Sequence, residues 1–425
     1  MKTLDEVAAQ LEGYDPQALR AETASAFLHA LVSPVADSET LPPKEALDRV
    51  LAHDLISPID VPAHDNSAMD GYAFDGALLQ GTGTLTLRVV ATALAGTAWR
   101  GQLSPGDCVK IMTGAVMPAT LDTVVPQELV QSEGEHITLS MAALQRGDNR
   151  RFQGEDLRRN APALRAGTRI GPAALGLLAS LGVPSVTVRR KVRVAFFSTG
   201  DEILSLGEAA REGAVYDSNR YTLFGLLTRM GVQVIDMGVV RDDPTALEAA
   251  FHNAAQQADA VITSGGVSVG EADHTKAIMR KVAGGPAGIA FWKIAMRPGR
   301  PMAVGRLKNA VLFGLPGNPV AVMVTFLAFV RPALLQMMGC TACATPLLKA
   351  RSVQAIRKKP GRTEYQRVIV DNAPDGSLQV RITGQQGSGV LSSMVQANGL
   401  LVLRHDQGDI AAGTEVEVQM FEGVI

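Results

Sequence analysis

Cysteine is scarce in this chain of 425 residues: there are three, Cys108, Cys340 and Cys343. That excludes the disulfide framework of a small secreted domain and predicts a reducing compartment, the cytoplasm. Cys340 and Cys343 form one C-x-x-C, but no second pair completes a zinc site. The plainer reading is two small apolar residues in a linker at a helix end. An excess of either charge is also missing. Forty basic residues meet 42 acidic ones, so no basic field for nucleic acid exists and no nucleic-acid partner is expected. Long apolar runs are absent too. The longest candidate, VAVMVTFLAFV at 320–330, falls short of the roughly 20 residues a membrane span needs, and reads as a buried core helix. The opening MKTLDEVAAQLEGYDP carries early acids and no apolar core, so it is not a signal peptide. Nor do the seven histidines show metal spacing such as H-E-x-x-H, and no serine–histidine–acid nucleophile set is legible.

What the chain does have is core: 46% of its residues are hydrophobic, enough for two to four domains. Its first 55 residues read as helical. Leu19 to Leu31 is amphipathic, and Pro42-Pro43 before KEALDRVLAHDL suggests a helix entered through a proline turn. The polar segment ISPIDVPAHDNSAMDGYAF has no periodicity and reads as a loop. Short β-type runs follow between Gly83 and Leu139, and a helical pattern returns at 171–181. The expected division is an elongated discontinuous helical/β domain (1–60 and 150–190), an inserted small β domain (61–149), a central three-layer α/β domain (191–338) and a C-terminal β-barrel-like domain (345–425). In the α/β part, strands are predicted at 192–197, 232–240, 259–264, 288–296 and 310–314. Helices are predicted after YDSN, from Pro244 to Gln257, near Asp273 and after Asn318. In the last part the β runs are QAIRK, YQRVIVD, LQVRIT, LLVLR and EVEVQMF.

In an open α/β sheet, ligands bind beyond the carboxyl ends of the strands. Three strand ends carry an acid there: Glu202, Asp242 and Asp273. Such acids either cap the next helix or share a hard cation, for which Mg²⁺ is the usual choice beside phosphates. The segment TSGGVSVGEADHTK has the layout of a phosphate cradle: strand, glycine loop, helix start. It is neither a Walker loop nor a dinucleotide fingerprint. Ser198 and Gly200, then Ser264, Gly265, Gly266, Ser268 and Lys276, are therefore candidate anion binders. Lys293, Arg297 and Arg300 lie in a Pro/Gly-restrained stretch suited to a preorganised anion site. Pro316, Gly317, Asn318 and Pro319 form a rigid turn that either faces an anion or caps the following helix. Elsewhere, the loop Asp65–Ala73 and Thr113 beside Gly114 are dense in ligand-bonding groups, and 146–159 holds five arginines in either an anion site or a salt-bridged surface. Residues alone thus point to metal-assisted handling of a phosphorylated ligand.

The same motifs resemble the molybdopterin molybdenumtransferases, the bacterial MoeA type shared with the E domain of gephyrin and plant molybdenum insertases. The matching segments run in order along nearly the whole chain: DNSAMDGYA, IMTGA, GED, STGDE, YDSN, RDDP, TSGGVSVGEAD, FWK with RPGRP, GLPGNP, GRTEYQR and GQQGSG. The resemblance implies a homodimer with shared active sites. It implies that adenylylated molybdopterin and molybdate give molybdenum cofactor and AMP with a divalent metal, the substrate coming from a molybdopterin adenylyltransferase. Carried over, Glu202, Asp242 and Asp273 would organise metal and pyrophosphate. Lys293 and Arg297 would hold the pterin phosphate or molybdate, and Pro316 and Pro319 would shape the oxyanion pocket. Asp65 and Thr113 would come from other domains, and Arg362 and Ser388 from the C-terminal one. The family often has tyrosine where this chain has His274 and lysines at Arg297 and Arg300, a planar fork for a point charge. A lone adenylyltransferase, a competence-damage-type hydrolase and a non-catalytic pterin carrier are the competing readings. The extra domains oppose the first, DNSAMDGYA and GRTEYQR the second, and the intact acids the third.

Overall fold

Strands and helices alternate after residue 190, and the strands are apolar along almost their whole length. The computed structural model describes residues 2–267 and 274–421. Six strands form one sheet: β1 (Arg193–Thr199), β2 (Gln233–Val240), β3 (Ala260–Ser264), β4 (Ile289–Lys293), β5 (Pro301–Leu307) and β6 (Ala310–Leu315). Their order is β2-β1-β3-β6-β5-β4. The first four in that order are parallel, and β5 and β4 add antiparallel at one edge. Continuous apolar strands follow from burial on both faces. Val194, Phe196, Ile262 and Phe313 point to one side, against α1 (Ser218–Met230) and the long apolar helix Pro319–Met337. Ala195, Phe197, Val261 and Leu312 point to the other, against α2 (Pro244–Gln257) and α3 (His274–Val282). This is the three-layer α/β domain the alternation predicted.

Local chemistry sets the helix ends. The Asp217 carboxylate accepts from the Arg220 amide at 3.0 Å to open α1, which ends at Gly231 with φ 80°. Asp243 accepts from the Ala246 amide at 2.8 Å to open α2, with Pro244 in its first turn. The helix Pro319–Met337 runs 19 residues, beyond the eleven apolar ones read from sequence. Among the described residues it is the one helix long and apolar enough to cross a membrane, and it is 78% buried inside the fold. A π-helical turn at Phe326–Val330 precedes Pro332, whose nitrogen has no proton to give to an ordinary helical bond.

Two expectations are corrected, one near the amino terminus and one in the sheet. Helix forms at Leu4–Ala8 and Ala21–Leu31, but the stretch after Pro42 gives only a 3₁₀ turn, Pro43–Ala46. Its backbone finds partners elsewhere. Asp48 takes φ 63°, its amide donates to Ile170 O at 2.8 Å, and Val50 and Leu51 bridge to Arg169 and Val188. A strand was also missed: β5 follows the prolines of the preceding turn, and the stretch 288–296 stops at Lys293 instead of continuing as one strand.

The C-terminal part is a closed five-stranded barrel. Its strands are β7 (Leu348–Ser352), β8 (Thr363–Asn372), β9 (Leu378–Ile382), β10 (Gly399–Leu403) and β11 (Glu415–Met420). They pair in the ring β8-β9-β7-β11-β10 and back to β8, around Val368, Val380, Leu401 and Val418. The first barrel strand is LKARS; the expected QAIRK contributes only a bridge, Ile356 to Ile410.

By compactness the chain divides into two units, Met1–Ala52 with Gly167–Gly171 and Thr187–Ile425, and His53–Ala166 with Pro172–Val186. The second unit holds a six-stranded half-barrel sheet built on Gly71–Phe74, Thr84–Ala93, Asp107–Ile111, Thr123–Pro126, Val130–Glu133 and His136–Ser140. Gly71–Phe74 lies in the stretch expected to be loop, yet it is fully buried and paired on both sides. The glycine permits this: a Cβ at Gly71 would sit 2.0 Å from Val125 O.

Candidate active site

The carboxyl ends of the parallel strands gather the hydroxyls and acids of the STGDE and RDDP segments. Ser198 Oγ donates to Asp217 Oδ1 at 2.9 Å and lies 2.9 Å from Ser264 Oγ, all three residues being buried. Thr199 Oγ1 donates to Asp242 Oδ1 at 2.6 Å. The two acids before Pro244 therefore divide their work: Asp243 caps α2, while Asp242 turns to the end of β1. The Glu202 carboxylate folds back over Gly200. Gly265 has φ +93°, its amide donates to Leu315 O at 3.1 Å, and a Cβ there would meet Thr199 O at 2.6 Å. Only glycine lets the β3 loop lie this close to β1. A polar cavity of about 670 Å³ opens here, lined by Gly200, Asp201, Glu208, Arg211 and Arg241 among others. Ser268 and Asp273 lie outside the described residues. Among the described residues no three His, Cys, Asp or Glu side chains converge as a metal site. Of the three acids expected to hold a metal, Glu202 and Asp242 are among the described residues, and their carboxylates are oxygen donors of the kind a hard cation takes.

A second cavity, of about 470 Å³, carries positive charge and, among the described residues, no acid in its lining. Its lining includes Arg297, Pro298, Gly299 and Arg300, then Pro316, Gly317 and Asn318, then Gln386, Gly387 and Ser388. Arg297 and Arg300 are exposed, and neither guanidinium has a hydrogen-bond or ion-pair partner among the described residues. The fold converges three segments on this spot. The turn 294–300 is closed by the Ile294 amide donating to Arg300 O at 2.7 Å. Met296–Arg297 then pairs with Thr363–Glu364 at the start of β8. The Val320 amide, in the first turn of the apolar helix, donates to Ser388 O at 3.1 Å. Two guanidinium groups on a wall that carries no acid among the described residues are donors of the kind an oxyanion takes.

Other expected residues sit differently. Lys293 is half-buried and outside that lining; its amide donates to Pro16 O at 2.8 Å and its carbonyl accepts from Leu19. Arg362 also lies outside it, paired with the buried Glu364 at 2.7 Å. Lys276 places its ammonium 6.0 Å from the Phe291 ring centre. Pro319 begins the apolar helix behind Asn318, which makes no side-chain cap. Cys340 and Cys343 are free thiols that pack on the core; burial pushes Cys340 up to about 11 and raises Cys343.

The second unit brings Asp65 and Thr113 onto paired loops. The Gly114 amide donates to Ser67 O at 2.8 Å and the Met117 amide to Asp65 O at 2.9 Å. Asp65 receives the Gln153 amide at 2.7 Å and the Arg150 guanidinium. Burial works to raise its pKa, but these two bonds outweigh it and hold the carboxyl below its usual range. Thr113 donates its hydroxyl and amide to Asp70 Oδ1, both at 2.7 Å, and so depresses that acid. Arg146 pairs with Asp122 and Arg150 with Asp65, so these two arginines belong to a salt-bridged surface.

Residues 19–182 match the MoeA N-terminal region (domain I and II), 195–336 a probable molybdopterin binding domain, and 349–421 the MoeA C-terminal region (domain IV). The molybdopterin molybdenumtransferase of Haemophilus influenzae is 40% identical across 91% of this chain and 95% of its own length. The chain belongs to the molybdopterin molybdenumtransferase family. A relative of the same description from a Nostoc species is 35% identical across 90% of this chain and 88% of its own. The crystal structure of a molybdopterin biosynthesis MoeA protein from Pyrococcus horikoshii aligns over 95% of this chain and all of its own, with a TM-score of 0.80 at 27% identity.

Within this family fold, several site residues escaped the sequence reading. Gln386 and Gly387 line the cationic cavity beside the expected Ser388. Arg367, 1% exposed, stands directly behind the cavity wall. Asp217 was read only as a helix start, yet its Oδ2 is buried beside Ser198 with no hydrogen-bond partner among the described residues. The GQQGSG and YQR segments were the available signal, but only for their place in a motif.

Proposed function

We propose that this protein inserts molybdenum into molybdopterin: adenylylated molybdopterin and molybdate yield molybdenum cofactor and AMP. The observation that carries the reading is the cavity walled by Arg297, Arg300, the Pro316–Asn318 turn and Ser388, whose lining holds no acid among the described residues. A tetrahedral dianion suits that wall, because guanidinium forks and backbone amides donate to oxyanions at several angles at once. The relatives named molybdopterin molybdenumtransferase support the same reaction. Arg297 and Arg300 would hold molybdate. Ser198, Gly200, Ser264, Gly265 and Gly266, with Ser268 and Lys276, would form the phosphate cradle at the sheet edge. Lys293 and Arg362 would adjoin the pterin phosphate, and Pro316, Gly317, Asn318, Pro319 and Ser388 would shape the oxyanion wall.

Glu202 and Asp242, with Asp273, would hold a divalent cation such as Mg²⁺, which would neutralise charge on the pyrophosphate. The protein's own share of that step is to aim its acids. The Thr199 hydroxyl already fixes one oxygen of Asp242. We further propose a four-domain division at the boundaries read from sequence and a cytoplasmic homodimer with active sites shared between subunits. Asp65 and Thr113 would take part in the shared sites, and a molybdopterin adenylyltransferase would supply the substrate.

The test is AMP release from adenylylated molybdopterin, with and without molybdate and Mg²⁺, for the wild type and Glu202→Gln. Molybdate-dependent release that Glu202→Gln abolishes is the expected result. Ligand binding without AMP release under any condition would instead make the protein a carrier.

A further inference from the structure

We infer that Asn219 is a positioning residue of the oxyanion cavity: it turns one peptide plane of the wall so that the Asn318 amide faces the anion. This rests on the reading of that cavity as the molybdate site, and adds to it a residue outside the lining. The wall segment Pro316-Gly317-Asn318-Pro319 has few donors to offer. Proline has no N–H, so the main chain supplies only the Gly317 and Asn318 amides. Neither amide has a hydrogen-bond partner among the described residues. The carbonyls of the same two residues are taken. Gly317 O accepts from Asn219 Nδ2 at 2.7 Å, and Asn318 O accepts from the Val322 amide at 2.9 Å.

Asn219 sits in the first turn of α1 and is 7% exposed. Its partner fixes which way the side chain faces: a carbonyl only accepts, so the NH₂ end meets Gly317. Its Oδ1 is buried with no hydrogen-bond partner among the described residues. A core amide kept for stability alone satisfies both ends. This one satisfies the end that holds the wall. Asp217, two residues earlier, accepts from Ser198 Oγ at 2.9 Å. The YDSN segment thus braces the sheet edge through Asp217 and the oxyanion wall through Asn219.

Peptide geometry gives the second half of the argument. The Gly317–Asn318 bond is trans, and in a trans peptide the C=O and the N–H point in opposite directions. Gly317 and Asn318 line the cavity, and Asn219 does not. With the carbonyl held away toward α1, the N–H of the same plane is turned toward the cavity that Arg297 and Arg300 line. Little else holds that plane. Gly317 has no side chain, and a Cβ there would meet nothing within 4 Å. Rotation of the plane by half a turn would set a carbonyl oxygen before the anion in place of a donor.

Gly317-Asn318 is the single Gly-Asn step in the sequence, which makes its amide addressable. Full-length protein carrying isotope labels at glycine carbonyls and asparagine nitrogens shows this one amide in a carbonyl-filtered NMR spectrum. The peak is followed during a molybdate titration, beside calorimetry, the molybdate dependence of AMP release and the melting curve. The proteins are wild type, Asn219→Leu, Asn219→Ser and Arg297→Met. In the wild type, saturating molybdate is expected to move the peak downfield, the mark of an N–H that has gained an acceptor. Asn219→Leu, similar in size but without a donor, is expected to raise the molybdate Kd and KM about tenfold, with kcat at saturating molybdate within about twofold and most of the peak shift lost. Asn219→Ser, smaller but still carrying a donor, is expected to raise them only about threefold. If Asn219 merely fills space, that order reverses and melting falls most in the serine variant. Should Asn219→Leu fail to fold, the wild-type peak and the serine variant decide the matter. A peak that stays in place while molybdate binds in a manner Arg297→Met abolishes, or wild-type affinity in Asn219→Leu, overturns the role of Asn219. If Arg297→Met binds molybdate as wild type does, the cavity is not the oxyanion site and the underlying reading fails instead.

Discussion

Asp259 shows how one side chain divides stability from chemistry. It precedes β3 at the amino edge of the sheet, the end opposite the candidate site. Its carboxylate receives Arg190 at 2.7 and 2.9 Å, Arg193 at 3.1 Å and the Arg193 amide at 2.8 Å. Burial acts to raise its pKa, but the arginine bonds outweigh it and hold the group down at about 2. A carboxylate depressed on folding contributes stability above its ordinary value of 3.8, and loses it as pH falls from there through about 2. With the side chain only 14% exposed, the contribution is on the order of 2 kcal/mol at neutral pH. Asp259→Asn should therefore lower Tm at pH 7 and flatten the loss of stability between pH 4 and 2, while AMP release at room temperature survives. An unchanged acid-unfolding curve in the variant would show that the arginines merely surround the group.

At the scale of elements, the paired acids before α2 give a sharper contrast. Asp243 caps the helix, whereas Asp242 bonds Thr199. Asp243→Ala should cost about 1 kcal/mol of stability with AMP release intact. Asp242→Ala should leave the helix cap in place and reduce AMP release sharply. Thermal melts and a turnover assay on both proteins check the pair; equal effects on activity would erase the distinction. The helix itself, Pro244–Gln257, was legible from sequence to the residue, because cap, proline and periodicity are local signals. Gly71–Phe74 was not: its polar, glycine-bearing flanks read as loop, and only the distant Val125 strand shows why a glycine is needed. The same holds for β5, hidden behind a proline turn, and for the barrel. The β character of its strands was readable, but the β8–β10 closure is a register between segments more than 30 residues apart. The site followed this pattern. Arg297, Pro316 and Ser388 were found through motifs, while Arg367 was missed because its bonds to Ser393, Gln385 and Gly387 join segments that only the fold brings together.

For the whole molecule, the telling feature is the two-residue strand Met296–Arg297. The chain leaves the α/β sheet at Lys293, is braced there by the amino-terminal residues Pro16 and Leu19, adds two residues to the barrel beside Thr363 and Glu364, and returns to the sheet at Pro301. Trp292 is anchored to the same amino-terminal segment, its Nε1 donating to Tyr14 Oη at 3.0 Å and its ring meeting Phe27 edge-on at 5.1 Å. The cation-bearing turn is thus stitched through three stretches of chain that are remote in sequence. Such a protein cannot be dealt out in modules. A version ending after Met338 keeps every strand of the α/β sheet but loses Thr363, Glu364 and Ser388, the partners that shape the turn. Circular dichroism should report a folded sheet in that fragment, and calorimetry should report no molybdate uptake. Inheritance is bound by the same seam: a recombination point between sheet and barrel would separate the arginines from the wall they face, so the two halves must be passed on, and altered, together.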